Sequence, residues 1–167
     1  MERATSPLDP GHSIVIGTEP FASPAPSAVV AEAERELLMR YGFLADSEAD
    51  LVADMFDAPL GAFLVARSPD GVVVGGVGVR TREPGVGEVK RLWVAPDGRG
   101  RGIGRALMDE LEDAARRLGL TELRLATGFR QPEAVSLYES SGWQRQWSDW
   151  DGSALNPHVF LFRKDLT

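Results

Sequence analysis

One stretch, Glu88 to Leu107 (EVKRLWVAPDGRGRGIGRAL), limits what this chain can fold into more than any other. Val89, Leu92 and Val94 are apolar, and the Pro96-Asp97-Gly98 turn signal bounds them, so the segment reads as a strand. One residue too many separates Val89 from Leu92 for a period of two, which predicts a β-bulge near Lys90. From Ile103 the apolar period becomes helical, through Leu107, Leu111, Ala114, Ala115 and Leu118. Between strand and helix lies Arg99-Gly100-Arg101-Gly102-Ile103-Gly104. Glycine lets backbone approach a ligand closely, and the first N–H groups of a helix have no internal partner. With the helix dipole and Arg99, Arg101 and Arg105 alongside, the loop has the chemistry of a site for phosphate or pyrophosphate. Taken by itself, it reads equally as an Arg-rich, solvated helix start.

Two common phosphate-loop patterns do not fit. G-x-G-x-x-G fails because the sixth position is Ile103 counted from Gly98 and Arg105 counted from Gly100. The Walker pattern needs a Gly-Lys pair, which the chain lacks. What remains is R-x-x-G-x-G after an apolar strand.

The chain has 167 residues, enough for one domain. No apolar run reaches the length of a membrane span, and no basic region followed by an apolar stretch opens the sequence, so neither a membrane partner nor a signal peptide is expected. There is no cysteine, which excludes disulfides, thiolate metal sites and a Cys nucleophile, and suits a cytoplasmic protein. His12 and His158 have no companions at a readable spacing, so neither a triad nor a metal site is expected. A formal net charge of -7 argues against general nucleic-acid binding, which needs clustered Lys and Arg. The basic residues that do cluster are Lys90, Arg91, Arg99, Arg101 and Arg105, around the loop. Acidic surroundings would weakly favour a cationic acceptor such as an amine.

Residues 1–12 read as a flexible tail and 13–167 as a single domain. Ser13 to Thr18 is a first strand, and Glu19 to Ser27, with three prolines, a loop. A helix with Val30, Leu37, Leu38 and Tyr41 on one face ends at Gly42. Ser47-x-x-Asp50 is a capping signature ahead of a short second helix closed by Pro59. Strands come next at Ala62–Arg67, Val72–Arg80 and Glu88–Val94, then the Gly-rich helix, a strand at Thr121–Thr127, a helix begun by Gln131-Pro132, and closing strands at Trp143–Trp147 and His158–Arg163. The order βαα-βββ-α-β-α-ββ predicts a mixed α/β sheet with helices on both faces.

The segment Gln131-Pro132-Glu133-Ala134-Val135-Ser136-Leu137-Tyr138-Glu139-Ser140-Ser141-Gly142-Trp143 supplies a second motif. Together with R-x-x-G-x-G it resembles the GNAT N-acetyltransferase superfamily, whose members usually show N-x-x-A-x-x-L-Y-x-x-x-G-F here. The match holds at Ala134, Leu137, Tyr138 and Gly142, and the chain departs at Gln131 and Trp143. Ala126 stands where related sequences with a Q-P-E-A segment often carry Glu. The resemblance covers roughly residues 13 to 163.

That resemblance implies an acyl-CoA N-acyltransferase fold, with a mostly antiparallel sheet splayed between the fourth and fifth of the strands just named. Acetyl-CoA would be the co-substrate and an amine the acceptor, with no metal and with room for a homodimer. The pantetheine arm would pair with strand backbone at Leu92, Trp93 and Val94, like an added strand. The pyrophosphate would rest on Arg99, Gly100, Arg101, Gly102, Ile103, Gly104 and Arg105, and Gln131 would touch the cofactor. Tyr138 would protonate the leaving thiolate, Glu88 would act as base, often through water, and the Val94 N–H would meet the developing oxyanion. Each residue has a plainer reading: Tyr138 as core packing, Glu88 as a strand-end carboxylate, Gln131 as a helix cap. Trp143, Trp147 and Trp150 read as packing or as an aromatic wall for an amine. A non-catalytic CoA-binding module would need the loop but not Tyr138.

Overall fold

The computed structural model describes residues 4–8, 12–42 and 52–167. These form an eight-stranded sheet: β1 (Ala4–Leu8), β2 (His12–Thr18), β3 (Gly61–Arg67), β4 (Val73–Glu83), β5 (Val86–Val94), β6 (Glu122–Gly128), β7 (Gln144–Gln146) and β8 (Val159–Asp165). Their spatial order is β1-β2-β3-β4-β5-β6-β8-β7, and β5 with β6 is the parallel pair in an otherwise antiparallel sheet. The described α-helices are α1 (Pro24–Tyr41), α2 (Ile103–Arg117) and α3 (Pro132–Ser140).

Both faces of the sheet are covered, as the alternation of element types predicts. On one face α2 buries Ile103, Ala106, Leu107, Met108, Leu111, Ala114 and Ala115 against Leu64, Val77, Val79, Val89, Leu123 and Leu125. Tyr138 of α3 joins the same cluster with Trp143 and Phe162. On the other face α1 packs Ala25, Val29 and Ala33, and a smaller core joins Val29 to Phe56, Phe63 and Val65. The glycines of β4 make that second contact possible: a Cβ on Gly76 would lie 2.9 Å from Val29 Cγ1, and one on Gly78 would lie 2.7 Å from Phe56 Cδ1. A glycine run in a strand signals either a bulge or close backbone packing, and here both occur: the packing just described, and an extra residue, Val74, beside Gly75 where β4 pairs with β3.

Several elements differ from what the sequence pattern predicts. Ala4–Leu8, expected as part of a tail over 1–12, is an edge strand paired with β2 from Ala4↔Ile16 to Leu8↔His12. An edge position tolerates Pro7, which cannot donate to the ladder. α1 begins at Pro24, inside the expected loop, because proline suits the first helical turn. Leu38 is 45% exposed and does not share the inner face with Tyr41; the smaller Ala25, Val29 and Ala33 take that face instead. The expected capping signature at Ser47–Asp50 lies outside the described residues. Of the short second helix expected after it, the described residues show a 3-10 turn, Ala53–Phe56.

Candidate active site

The expected bulge is in β5. Gly76 pairs with Trp93 and Gly78 with Lys90, so Val77 alone faces both Arg91 and Leu92. Arg91 takes a φ of 60°, the left-handed region that an L side chain rarely occupies. The extra residue puts Lys90 and Arg91 on the α1 face together. Lys90 Nζ lies 3.0 Å from Glu88, and Arg91, whose side chain is 2% exposed, puts its guanidinium 3.2 Å from Glu34 of α1. Leu92 and Val94 then return to the α2 face, and Trp93 to the α1 face.

The parallel pairing of β5 with β6 covers three positions, Val86↔Glu122 to Glu88↔Arg124. Beyond them the strands part, as the resemblance implied for the same two strands, and a cavity of about 590 Å³ fills the gap. Its wall draws on both faces of the sheet: Leu37 and Tyr41 of α1 on one, Ala134 and Tyr138 of α3 on the other, with Leu92 and Thr127 from the parted strands. The register sets the edge chemistry. Val94 pairs opposite Gly75, and the Ala95 N–H donates to the Val74 carbonyl at 2.8 Å. In an antiparallel ladder the residue next to such a bond turns its N–H and C=O the other way. The Val94 N–H and C=O therefore point into the split.

At the outer end of the split the chain turns through Gly100 (φ 76°) and Gly102 (φ 80°) into α2. A Cβ on Gly100 would meet nothing within 4 Å, so this backbone stands open to an approaching group. The loop backbone and the first turn of α2 thus offer N–H donors at the positive end of a 15-residue helix. These donors and the open strand edge fit a ligand that is a pyrophosphate at one end and an amide-bearing arm at the other. Two of the three loop arginines, Arg99 and Arg105, are more committed than a solvated anion site would leave them. Arg105 donates to the Ser140 hydroxyl at 2.8 Å, tying α2 to the end of α3, and Arg99 is bonded to the Val94 carbonyl and to Glu36.

Gln131 is a hub at the cavity mouth. Its side-chain oxygen accepts from the Gly128 N–H at 3.2 Å and from the Tyr41 hydroxyl at 3.2 Å, and the Arg130 N–H donates to the same hydroxyl at 3.2 Å. It does not act as a side-chain cap for α3. The Tyr41 ring lies so close to β6 that a Cβ on Gly128 would sit 1.9 Å from the Tyr41 oxygen. Arg40 reaches Glu133 of α3, and Arg40 and Arg130 each donate to the other's backbone carbonyl. α1 is thus stitched across the mouth to the loop before α3.

Tyr138 lines the cavity but is 5% exposed, its ring 5.7 Å from that of Trp143 and 5.6 Å from that of Phe162. Burial alone drives its pKa well above the usual tyrosine value, so the hydroxyl stays protonated. Glu88 is different. Desolvation pushes its pKa up, but Lys90, Arg80 and Arg82 outweigh that and hold it below the ordinary value. Their nitrogens lie 3.0, 3.2 and 2.8 Å from its oxygens. Of the residues expected at the site, Leu92, Trp93, Gln131 and Tyr138 line the cavity, while Glu88 lies behind Lys90 and the Arg99–Arg105 loop lies beyond the cavity's end. The tryptophans named as a wall do not line it. Trp143 is core, and Trp147 and Trp150 lie under Arg145 and Arg124; Tyr41, Phe129 and His158 are aromatic rings at the mouth. Sequence reasoning missed Glu36, Arg40 and Tyr41. The Glu36/Arg40 spacing of four residues is the signal they leave, and it is common on any solvated helix.

The model of the Acetyltransferase (GNAT) family matches residues 30–143. An IAA acetyltransferase of Azospirillum brasilense is 41% identical over 122 residues, which cover 72% of this chain and 79% of that one. N-acetyltransferase 8 of Rattus norvegicus is 36% identical over 102 residues, 58% of this chain and 46% of the rat protein. Among solved structures, the PaiA N-acetyltransferase of Thermoplasma acidophilum in complex with coenzyme A superposes with a TM-score of 0.66 at 17% identity, covering 90% of this chain and 98% of that one. The family model covers the C-terminal part of α1, the split strands, the glycine loop and α3, most of what builds the cavity, and the chain belongs to the GNAT family of acetyltransferases.

Proposed function

We propose that this N-acetyltransferase moves an acetyl group from acetyl-CoA to a primary amine, on a small molecule or a peptide, by direct attack while both substrates are bound. The observation that carries this reading is the cavity in the split, because its wall draws on both faces of the sheet. α3 borders one side and α1 the other, with the phosphate loop beyond the cavity's end, so cofactor and acceptor can approach from different sides. In this reading the Arg99–Arg105 backbone takes the pyrophosphate and the strand edge at Leu92–Val94 takes the pantetheine amides, with Gln131 beside it.

Acetyl-CoA supplies a thioester, from which the new N–C bond takes the acetyl group as the C–S bond breaks. The chain's groups manage charge and protons. The Val94 N–H, aimed into the split, hydrogen-bonds the carbonyl oxygen as it gains charge. Tyr138 hands its proton to the departing sulfur and regains one from solvent. Burial raises its pKa and makes it a weaker acid than the thiol, so the transfer is carried by collapse of the tetrahedral intermediate as the sulfur departs against the hydroxyl. The amine's surplus proton leaves through water to Glu88, with Lys90, bonded to Glu88 and on the cavity wall, marking the route. Its depressed pKa keeps Glu88 ionised and makes it a weak base. We place the enzyme in the cytoplasm.

The test is incubation with acetyl-CoA and a panel of amines, read by release of free thiol. Acetylation of at least one amine with matching thiol release is expected. Tight CoA binding without turnover on any amine would leave a non-catalytic CoA-binding module.

A further inference from the structure

Arg99 is held in a place that the cofactor needs. Its Nε donates to the Val94 carbonyl at 3.0 Å, and that carbonyl is part of the strand edge facing the split. The rest of the guanidinium is bonded to the carboxylate of Glu36 on α1. Glu36 also accepts the Trp93 indole N–H at 3.3 Å and lies 3.9 Å from Arg40, which is itself paired with Glu133. A chain of alternating charge, Arg99–Glu36–Arg40–Glu133, so runs from the phosphate loop across α1 to α3. Glu36 is the one carboxylate on the cavity wall among the described residues.

We propose that Glu36 sets the affinity for CoA by competing with it for Arg99. This rests on the cofactor reading above. While Glu36 holds the guanidinium over Val94, an arginine covers the edge where an amide of the pantetheine arm would pair. Binding is then an exchange: pyrophosphate replaces the carboxylate as the anion on Arg99, and the arm replaces Arg99 on the Val94 carbonyl. Glu36 keeps Trp93 and Arg40, so its charge is not stranded. Both anions bind the same guanidinium and cannot use the same donors at once. The competition therefore arises from geometry already present.

The competition has a sign that a merely structural ion pair would not give. Glu36→Gln keeps the side chain's shape and removes its charge. The Kd for CoA, measured by calorimetry at fixed ionic strength, should fall by about two- to fivefold, the scale of a partly exposed ion pair. Glu36→Ala should shift it in the same direction. In an Arg99→Ala background, adding Glu36→Gln should leave the Kd where Arg99→Ala put it. Unchanged or weaker CoA binding by both folded Glu36 variants overturns the proposal, and so does tightening that persists without Arg99. If the wild-type protein binds no CoA, the cofactor reading itself fails, and that result is separate from the comparison between variants.

Discussion

Tyr138 and Glu88 differ in what their surroundings do to a proton, and that difference is measurable. Tyr138→Phe keeps the ring packed between Trp143 and Phe162 and removes only the hydroxyl. If the hydroxyl protonates the leaving sulfur, kcat should fall by about 10²–10⁴-fold while the Michaelis constant for acetyl-CoA stays nearly fixed. A Tyr138→Phe enzyme with wild-type kcat, where chemistry is shown to limit turnover, removes the tyrosine from the mechanism. Glu88→Gln should give a defect that shrinks as pH rises, because more of the amine is then already neutral; a defect constant with pH would count against its role as base. Glu88 also makes a stability claim. Its folded pKa is depressed, so the carboxylate stabilises the fold fully above the ordinary glutamate value of 4.5, and this is lost as pH falls through the lower folded value. Acid titration of the melting temperature should show wild type converging on Glu88→Gln in that range. At this scale the sequence exposed the residues that sit in motifs, Tyr138 and the loop glycines. It did not expose Glu36 or Tyr41, whose partners Arg99 and Gln131 are 63 and 90 residues away.

Among the elements, the glycine loop and the end of β6 carry the sharpest demands on backbone. Gly102 opens α2 at a φ of 80°, which a β-branched residue adopts only with strain. Gly102→Val should therefore weaken CoA binding by about 10- to 100-fold, the loss of one or two charge-assisted hydrogen bonds, as read by calorimetry. Full affinity in a folded Gly102→Val protein would refute the anion site. Gly128 tests the seam between α1 and β6. Gly128→Ala should cost about 1–3 kcal/mol in chemical denaturation, as overpacking does, and Tyr41→Ala should recover much of that loss by restoring room. Element boundaries were legible where local chemistry sets them: Gly42 ends α1 in the left-handed conformation, and Pro132 starts α3. The face of α1 was not legible. Its apolar residues are spread around the helix, and a sheet glycine, which no helix pattern reports, makes room for the Val29 face: Gly76 lies under Val29.

For the whole molecule, the order of elements predicted the layered sheet, because strand and loop signals are local, whereas the place where it splits came from the family resemblance. The added strand β1 was hidden by two prolines, and the parallel pairing of β5 with β6 needs the fold itself. If CoA fills the split, it binds the native state alone. At 100 times its Kd it should stabilise by about 2.7 kcal/mol, or roughly 5–10 °C in a chain of this size. ATP and NAD should raise the melting temperature far less; equal stabilisation by ATP would point to generic nucleotide binding. The split also gives a central strand the exchange behaviour of a sheet margin. Trp93 turns its N–H to β4, whereas the Val94 N–H faces the gap. In deuterated water the amide of Val94 should therefore exchange much faster than that of its neighbour Trp93, although both lie in the middle of an eight-stranded sheet. Saturating acetyl-CoA, whose carbonyl takes the Val94 N–H in the proposed reading, should slow Val94 toward the rate of Trp93, so that one pair of adjacent amides reports whether the gap is occupied.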